Sequence, residues 1–177
     1  MSQDKEKNMK EHTIDTIKYL TSMVAFEEIP TRVTLSLSIT GCRGTCIGCH
    51  SPELRRNIGT ELTDEELDAL IRKNNGVNCV LFLGEGTNQA RLLQLAERVR
   101  NHWKMDVALY SGRDEVEEAV WNAFDFLKIG SYKSEFGPLN NPNTNQRLYH
   151  FSKFYSSSVG GRKGWKDITS YFWRKKF

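Results

Sequence analysis

Along the chain the apolar positions switch between a period of two and a period of three to four, and that alternation predicts its elements. Val33, Leu35, Leu37 and Ile39 alternate with Thr34, Ser36, Ser38 and Thr40, the pattern of a strand. Thr63, followed by Asp64, Glu65 and Glu66, forms a capping box, and Leu67, Leu70 and Ile71 put an apolar stripe on the helix behind it. The unit then recurs: a buried strand over Cys79 to Leu83, a helix with Leu92, Leu95, Ala96 and Val99 on one face, and a strand over Val107 to Tyr110. A helix with Val116, Ala119, Val120 and Ala123 in register and a strand over Phe126 to Ile129 complete the series. Strands separated by single helices call for parallel pairing with right-handed crossovers, hence an α/β sheet or an incomplete barrel. In such folds ligands bind where strands run out into loops. Those ends carry the cysteine-rich loop 41–50, Gly84-Glu85-Gly86, Ser111-Gly112-Arg113 and Gly130-Ser131-Tyr132.

The flanks read differently. Residues 1–12 mix Lys with Glu and Asp without an apolar period, which predicts a disordered leader before a domain over 13–150. The extension 151–177 holds seven Lys and Arg against one acid, Asp167, and eight of the nineteen aromatic residues. Phe154-Tyr155, the Gly160-Gly161 break and Trp165 predict a hairpin or an aromatic edge packed on the same domain. Total length, 177 residues, suits one domain. Twenty-five Lys and Arg against 22 Asp and Glu leave +3, too small a bias to indicate a nucleic-acid partner. No apolar run approaches the roughly 18 residues of a membrane span, and the charged start is unlike a signal peptide, so the expected location is the cytoplasm, away from membranes.

In that compartment four cysteines do not make a disulfide framework. Cys42, Cys46 and Cys49 lie on one short loop, whereas Cys79 stands alone in an apolar run and is expected in the core. Three thiolates suit a [4Fe-4S] cluster with one iron open to an outside ligand; a zinc site completed by His50 or Cys79 is the structural alternative.

Cys-x3-Cys-x2-Cys after the first strand of a β/α chain resembles the signature of the radical S-adenosylmethionine enzymes. The run Cys46-Ile47-Gly48-Cys49-His50-Ser51-Pro52-Glu53 is similar to the smaller glycyl-radical activases. Tyr110-Ser111-Gly112-Arg113, Gly137-Pro138-Leu139 and Thr144-Asn145-Gln146-Arg147 most resemble the activating proteins of anaerobic ribonucleoside-triphosphate reductase, over roughly residues 27–150. The resemblance implies parallel β/α units forming an incomplete radical-SAM-type barrel with an aromatic and basic C-terminal extension. It also implies a cluster on Cys42, Cys46 and Cys49, S-adenosylmethionine as cofactor, and a glycyl radical installed on the reductase. Implied partners are the reductase's glycine loop and a reducing protein such as flavodoxin or ferredoxin. Pyruvate formate-lyase is an alternative target, and a noncatalytic zinc or iron-sulfur module an alternative class.

Leu83-Gly84-Glu85-Gly86 stands where the family usually has Gly-Gly followed by an acid, so Gly84, Glu85 and Gly86, with Ser111 and Arg113, are candidates for holding the cofactor. Asn145, Gln146 and Arg147 are candidates for an active-site loop or a partner contact. Lys128, in Phe-Leu-Lys-Ile-Gly, is expected to snorkel outward, with contact to cofactor or cluster as the lesser alternative. Arg162, Lys163, Trp165 and Trp173 are expected on the rim of the face that receives the partner.

Overall fold

The computed structural model describes residues 16–173; the expected leader, 1–12, lies outside them. Among the described residues there are ten strands: β1 (Lys18–Ala25), β2 (Thr34–Ile39), β3 (Thr60–Glu61), β4 (Cys79–Leu83), β5 (Asp106–Tyr110), β6 (Phe126–Ile129), β7 (Arg147–Phe151), β8 (Ser158–Val159), β9 (Arg162–Lys163) and β10 (Trp165–Asp167). The α-helices of the same residues are α1 (Asp64–Lys73), α2 (Gln89–Asn101) and α3 (Glu118–Ala123). Eight strands form one sheet in the order β10-β7-β6-β5-β4-β2-β1-β3, while β8 and β9 pair separately as the hairpin across Gly160-Gly161.

The four strands read from the sequence, β2, β4, β5 and β6, are the parallel centre. Antiparallel strands extend it on both sides, β1 and β3 beyond β2 and β7 and β10 beyond β6, so the architecture is a mixed sheet flanked by helices. Register puts Leu37, Phe82, Leu109 and Leu127 in one row and Ser38, Leu83, Tyr110 and Lys128 in another. The first row packs under Leu67, Leu92, Leu95, Val99 and Val120 of the helices. Burial of each such side chain contributes about 1.5–3 kcal/mol, which makes this the dominant adhesive of the fold. The opposite face carries a smaller cluster around Ile29, Leu81, Ala108, Phe126 and Ile168.

Local chemistry sets the boundaries. Thr63 Oγ1 accepts the Glu66 N–H at 3.1 Å and starts α1. The other half of the expected box is diverted: the Glu66 carboxylate takes the Tyr19 hydroxyl instead. Asn88 Oδ1 accepts the Arg91 N–H at 3.0 Å and starts α2. The third helix is shorter than its apolar register predicts, because Val116 lies in the segment before it and Glu117 is extended (φ −68°, ψ 155°). Strand β1 escapes sequence reading because its register shifts between Tyr19 and Ser22, which breaks the alternation.

Candidate metal and cofactor site

Parallel strands end together, so the loops after β2, β4, β5 and β6 share one edge of the sheet. The thiol loop is held there by the segment that follows it. Gly41 N–H donates to Arg56 O at 3.1 Å and Cys42 N–H to Leu54 O at 2.9 Å, while Arg55 Nη2 donates to Cys46 O at 2.8 Å. Arg55 is a residue whose role no spacing rule reveals; its signal is only its closeness in sequence to the cysteines.

Within the loop the Gly44 N–H donates to Cys42 Sγ at 3.3 Å. A Cβ at Gly44 would stand 3.3 Å from Cys42 Sγ, a tight approach, and 3.8 Å from Cys46 Sγ, so the lack of a side chain there keeps the space between the two sulfurs clear. Cys42 is exposed, and Cys46 and Cys49 are half-buried. Among the described residues no three His, Cys, Asp or Glu side chains are drawn together as a ligand set, so the thiols share a loop without forming a closed cage. Soft thiolates on one loop, with room between two of them, fit an iron-sulfur cluster.

The zinc alternative loses Cys79. That residue opens β4, at the sheet edge away from the loop, roughly 13 Å along the strand at about 3.3 Å per residue. It is fully buried, and desolvation pushes its thiol pKa up. His50 lies edge-on to Tyr132 with ring centroids 5.2 Å apart, which ties the thiol loop to the loop after β6.

Beside Cys42 and Cys46 opens a cavity of about 510 Å³, lined also by Gly84, Glu85, Gly86 and Arg113. The size is that of a small-molecule site. Gly84 makes the turn out of β4 at φ +108°, where a Cβ would approach Ile39 O to 3.2 Å. Arg113 clasps Glu85 through Nε and Nη2 at 3.0 and 2.7 Å. The same guanidinium reaches both Glu117 oxygens at 2.8 Å, and Gln89 Nε2 adds a bond to Glu117 at 2.9 Å. Glu117, then Glu85, holds the Arg113 pKa above its ordinary range, and Arg113 brings the Glu117 carboxyl down to about 2. Ser111 is fully buried; its hydroxyl donates to Glu85 and accepts the Arg113 N–H at 3.0 Å. Cys49 and Ser111 do not line the cavity themselves. Gln89 and Glu117 do, and the sequence carries no motif that marks them.

Asn145, Gln146 and Arg147 are not in that cavity. Asn145 and Arg147 line a second one, of about 240 Å³, together with Asp114, Gly130 and Lys133. Asn145 Nδ2 donates to Ser131 O at 2.9 Å, Gln146 is buried, and Arg147 Nη1 donates to Thr144 O at 3.0 Å, so the trio braces the loop after β6. In the extension, Trp165 is buried in the helix-side core, and Arg162 sits 4.7 Å over the Trp121 ring with Nε 2.8 Å from Glu118. Trp165 pairs with Phe151, whose N–H bonds Asp125 just before β6, so Trp165 lies toward the strand ends away from the thiols, whereas Arg162 holds Glu118, the chain neighbour of the cavity-lining Glu117. Trp173 differs, donating from Nε1 to Leu139 O at 3.3 Å near Arg147.

A family model described as a 4Fe-4S single cluster domain matches residues 31–141, which include the thiol loop and all four parallel strands. No curated protein and no solved structure matches the chain.

Proposed function

The chain belongs to the 4Fe-4S single cluster domain family, and from that premise we propose that it is a radical S-adenosylmethionine activase of anaerobic ribonucleoside-triphosphate reductase. The observation that carries the reading is the single cavity lined by two of the three thiols and by the Glu85–Arg113 pair. Cys42, Cys46 and Cys49 would hold the cluster, and Glu85, Arg113 and the Gly84-Glu85-Gly86 turn would hold S-adenosylmethionine. Bound there, the cluster and cofactor supply reductive cleavage of a sulfonium and a radical able to take a hydrogen atom from a glycine.

The residues of this chain do the rest. The methionyl head of the cofactor is a zwitterion, and Glu85 and Arg113 offer one charge for each of its ends. Ser111, buried behind them, keeps the Glu85 carboxylate turned into the cavity. The parallel centre would be the radical-SAM-type partial barrel, its open side admitting the reductase's glycine loop. The electron would come from a cytoplasmic flavodoxin or ferredoxin; neither nucleic acid nor membrane has a part. No helix among the described residues is long and apolar enough to cross a membrane.

Anaerobic reconstitution with iron and sulfide, followed by assay of S-adenosylmethionine cleavage under dithionite, tests the reading. Cleavage together with a glycyl radical on the reductase, seen by electron paramagnetic resonance, is the expected result. Iron uptake without cleavage would leave a noncatalytic iron-sulfur module, and a radical on pyruvate formate-lyase alone would change the target.

A further inference from the structure

Lys128 is the third residue of β6 and lies in the row with Tyr110 and Leu83, on the face away from the helices. The expected outward snorkel does not occur: the residue is 9% exposed. Its Nζ donates to Gly130 O at 3.0 Å and to Ser111 O at 3.4 Å, and stands 6.0 Å from the Tyr110 ring centroid. These are neutral partners. Among the described residues Lys128 makes no ion pair.

An ammonium group taken out of water without a counter-charge is strongly disfavoured, and burial brings the Lys128 pKa down to about 8. The two carbonyls it holds, those of Ser111 and Gly130, stand in the loops after β5 and β6, at the sheet edge that also carries the thiol loop after β2, and that is where the anion this cation lacks is to be sought. A [4Fe-4S] core on three thiolates is negative overall and becomes more so on reduction.

We propose that Lys128 is the fixed counter-charge of the cluster, a positioning residue that favours the reduced state electrostatically and touches no substrate. The inference rests on the reading that Cys42, Cys46 and Cys49 hold the cluster. Neutralising a charge in so dry a place is felt far more strongly than at the surface. The competing role is mechanical, since the two carbonyls belong to the loops after β5 and β6 and Nζ ties them together.

Charge and tie are separated by three variants, Lys128→Arg, Lys128→Gln and Lys128→Met, reconstituted anaerobically and titrated by electron paramagnetic resonance with dithionite and viologen mediators. Arg keeps the charge, Gln keeps a donor without charge, and Met keeps neither. At a fixed applied potential the ratio of reduced to oxidised cluster should fall at least tenfold in the Gln and Met variants, a shift of about 59 mV for one electron, and stay within threefold for Arg. A Gln variant that folds by circular dichroism but takes up no iron, beside a normally loaded Arg variant, supports the same assignment. Equal potentials in all loaded proteins, or a shift in Met but not in Gln, overturn it in favour of the mechanical role. If the unsubstituted chain takes up no iron, the cluster reading fails and the inference with it; iron uptake with unchanged potentials removes the inference alone.

Discussion

Two arginine–carboxylate networks of similar make-up lie in different parts of the molecule, and their surroundings separate scaffold from site. Between α1 and α2, Arg98 holds both Asp68 oxygens at 2.9 and 2.7 Å, and Trp103 Nε1 donates to the same carboxylate at 2.8 Å. Asp64 takes Arg91 and Arg98 at 2.7 and 3.0 Å. The Asp68 side chain is 7% exposed, and its bonds to Arg98 bring its pKa down to about 2. At the sheet edge Arg113 makes four bonds to Glu85 and Glu117, one more than Arg98 makes to Asp68 and Asp64, yet those three residues line the large cavity, and the Glu117 side chain is 55% exposed. Bond count does not distinguish the two sets. Enclosure does: one network joins two helices, and the other holds charge at an opening where a ligand can compete for it.

The comparison can be broken first by leaving both networks intact. Cys46→Ala, which belongs to neither, should abolish iron uptake and S-adenosylmethionine cleavage while the urea midpoint stays unchanged; Cys42→Ala and Cys49→Ala should match it, and Cys79→Ala should keep its iron. Iron analysis and denaturation measured on the same preparations decide this, and full iron in Cys46→Ala would remove it from the ligand set.

Asp68→Asn attacks the enclosed network and should cost about 2–3 kcal/mol of stability at neutral pH, with iron uptake unaltered. The pH dependence follows from its lowered pKa. A carboxylate whose pKa falls from 3.8 to about 2 on folding contributes stability that is complete above pH 4 and is lost as pH drops through 2. The gap in stability between the two proteins should therefore close over that interval, and a constant gap down to pH 2 would mean that the Asp68 charge is not what Arg98 and Trp103 hold.

Glu85→Ala acts at the open network. Loss of one charged hydrogen bond predicts S-adenosylmethionine affinity about ten- to a hundredfold weaker, with the iron content unchanged. Calorimetry on the reconstituted protein reads this directly, and an unaltered dissociation constant would leave the contact to the loop backbone. Smallest is Glu117→Gln, exposed at the rim, where affinity should weaken by less than about fivefold and the urea midpoint should stay unchanged. An effect as large as that of Glu85→Ala would place the ammonium partner at Glu117 instead.

Much of the fold was legible where burial is uniform. Cys79–Leu83 and Phe126–Ile129 are strands over the same residues that their apolar runs delimit, because both faces of a central parallel strand are covered. Capping at Thr63 and Asn88 is short-range chemistry, although only Thr63 stood out in its motif. Elements whose pattern is interrupted were not legible: β1 carries a register shift, and the segment before α3 is drawn into Arg113 and its partners. Within the site, the spacing of the thiols was plain from the chain, whereas Gln89 and Glu117 stand in no motif and Arg55 has only its closeness to the cysteines.

By itself the sequence determined the β/α order and the sharing of one short loop by Cys42, Cys46 and Cys49, because both depend on neighbours a few residues apart. Only the tertiary structure decided that Glu85 is clasped by Arg113, that Lys128 turns inward without a carboxylate, and that Trp165 packs into the helix-side core by the start of β6. Those outcomes depend on which strands lie side by side. Lys128 faces Tyr110 because β6 pairs with β5, and Trp165 reaches the start of β6 because β7 and β10 run antiparallel to their neighbours. Periodicity says which face a side chain occupies, but strand order and direction decide what stands next to it.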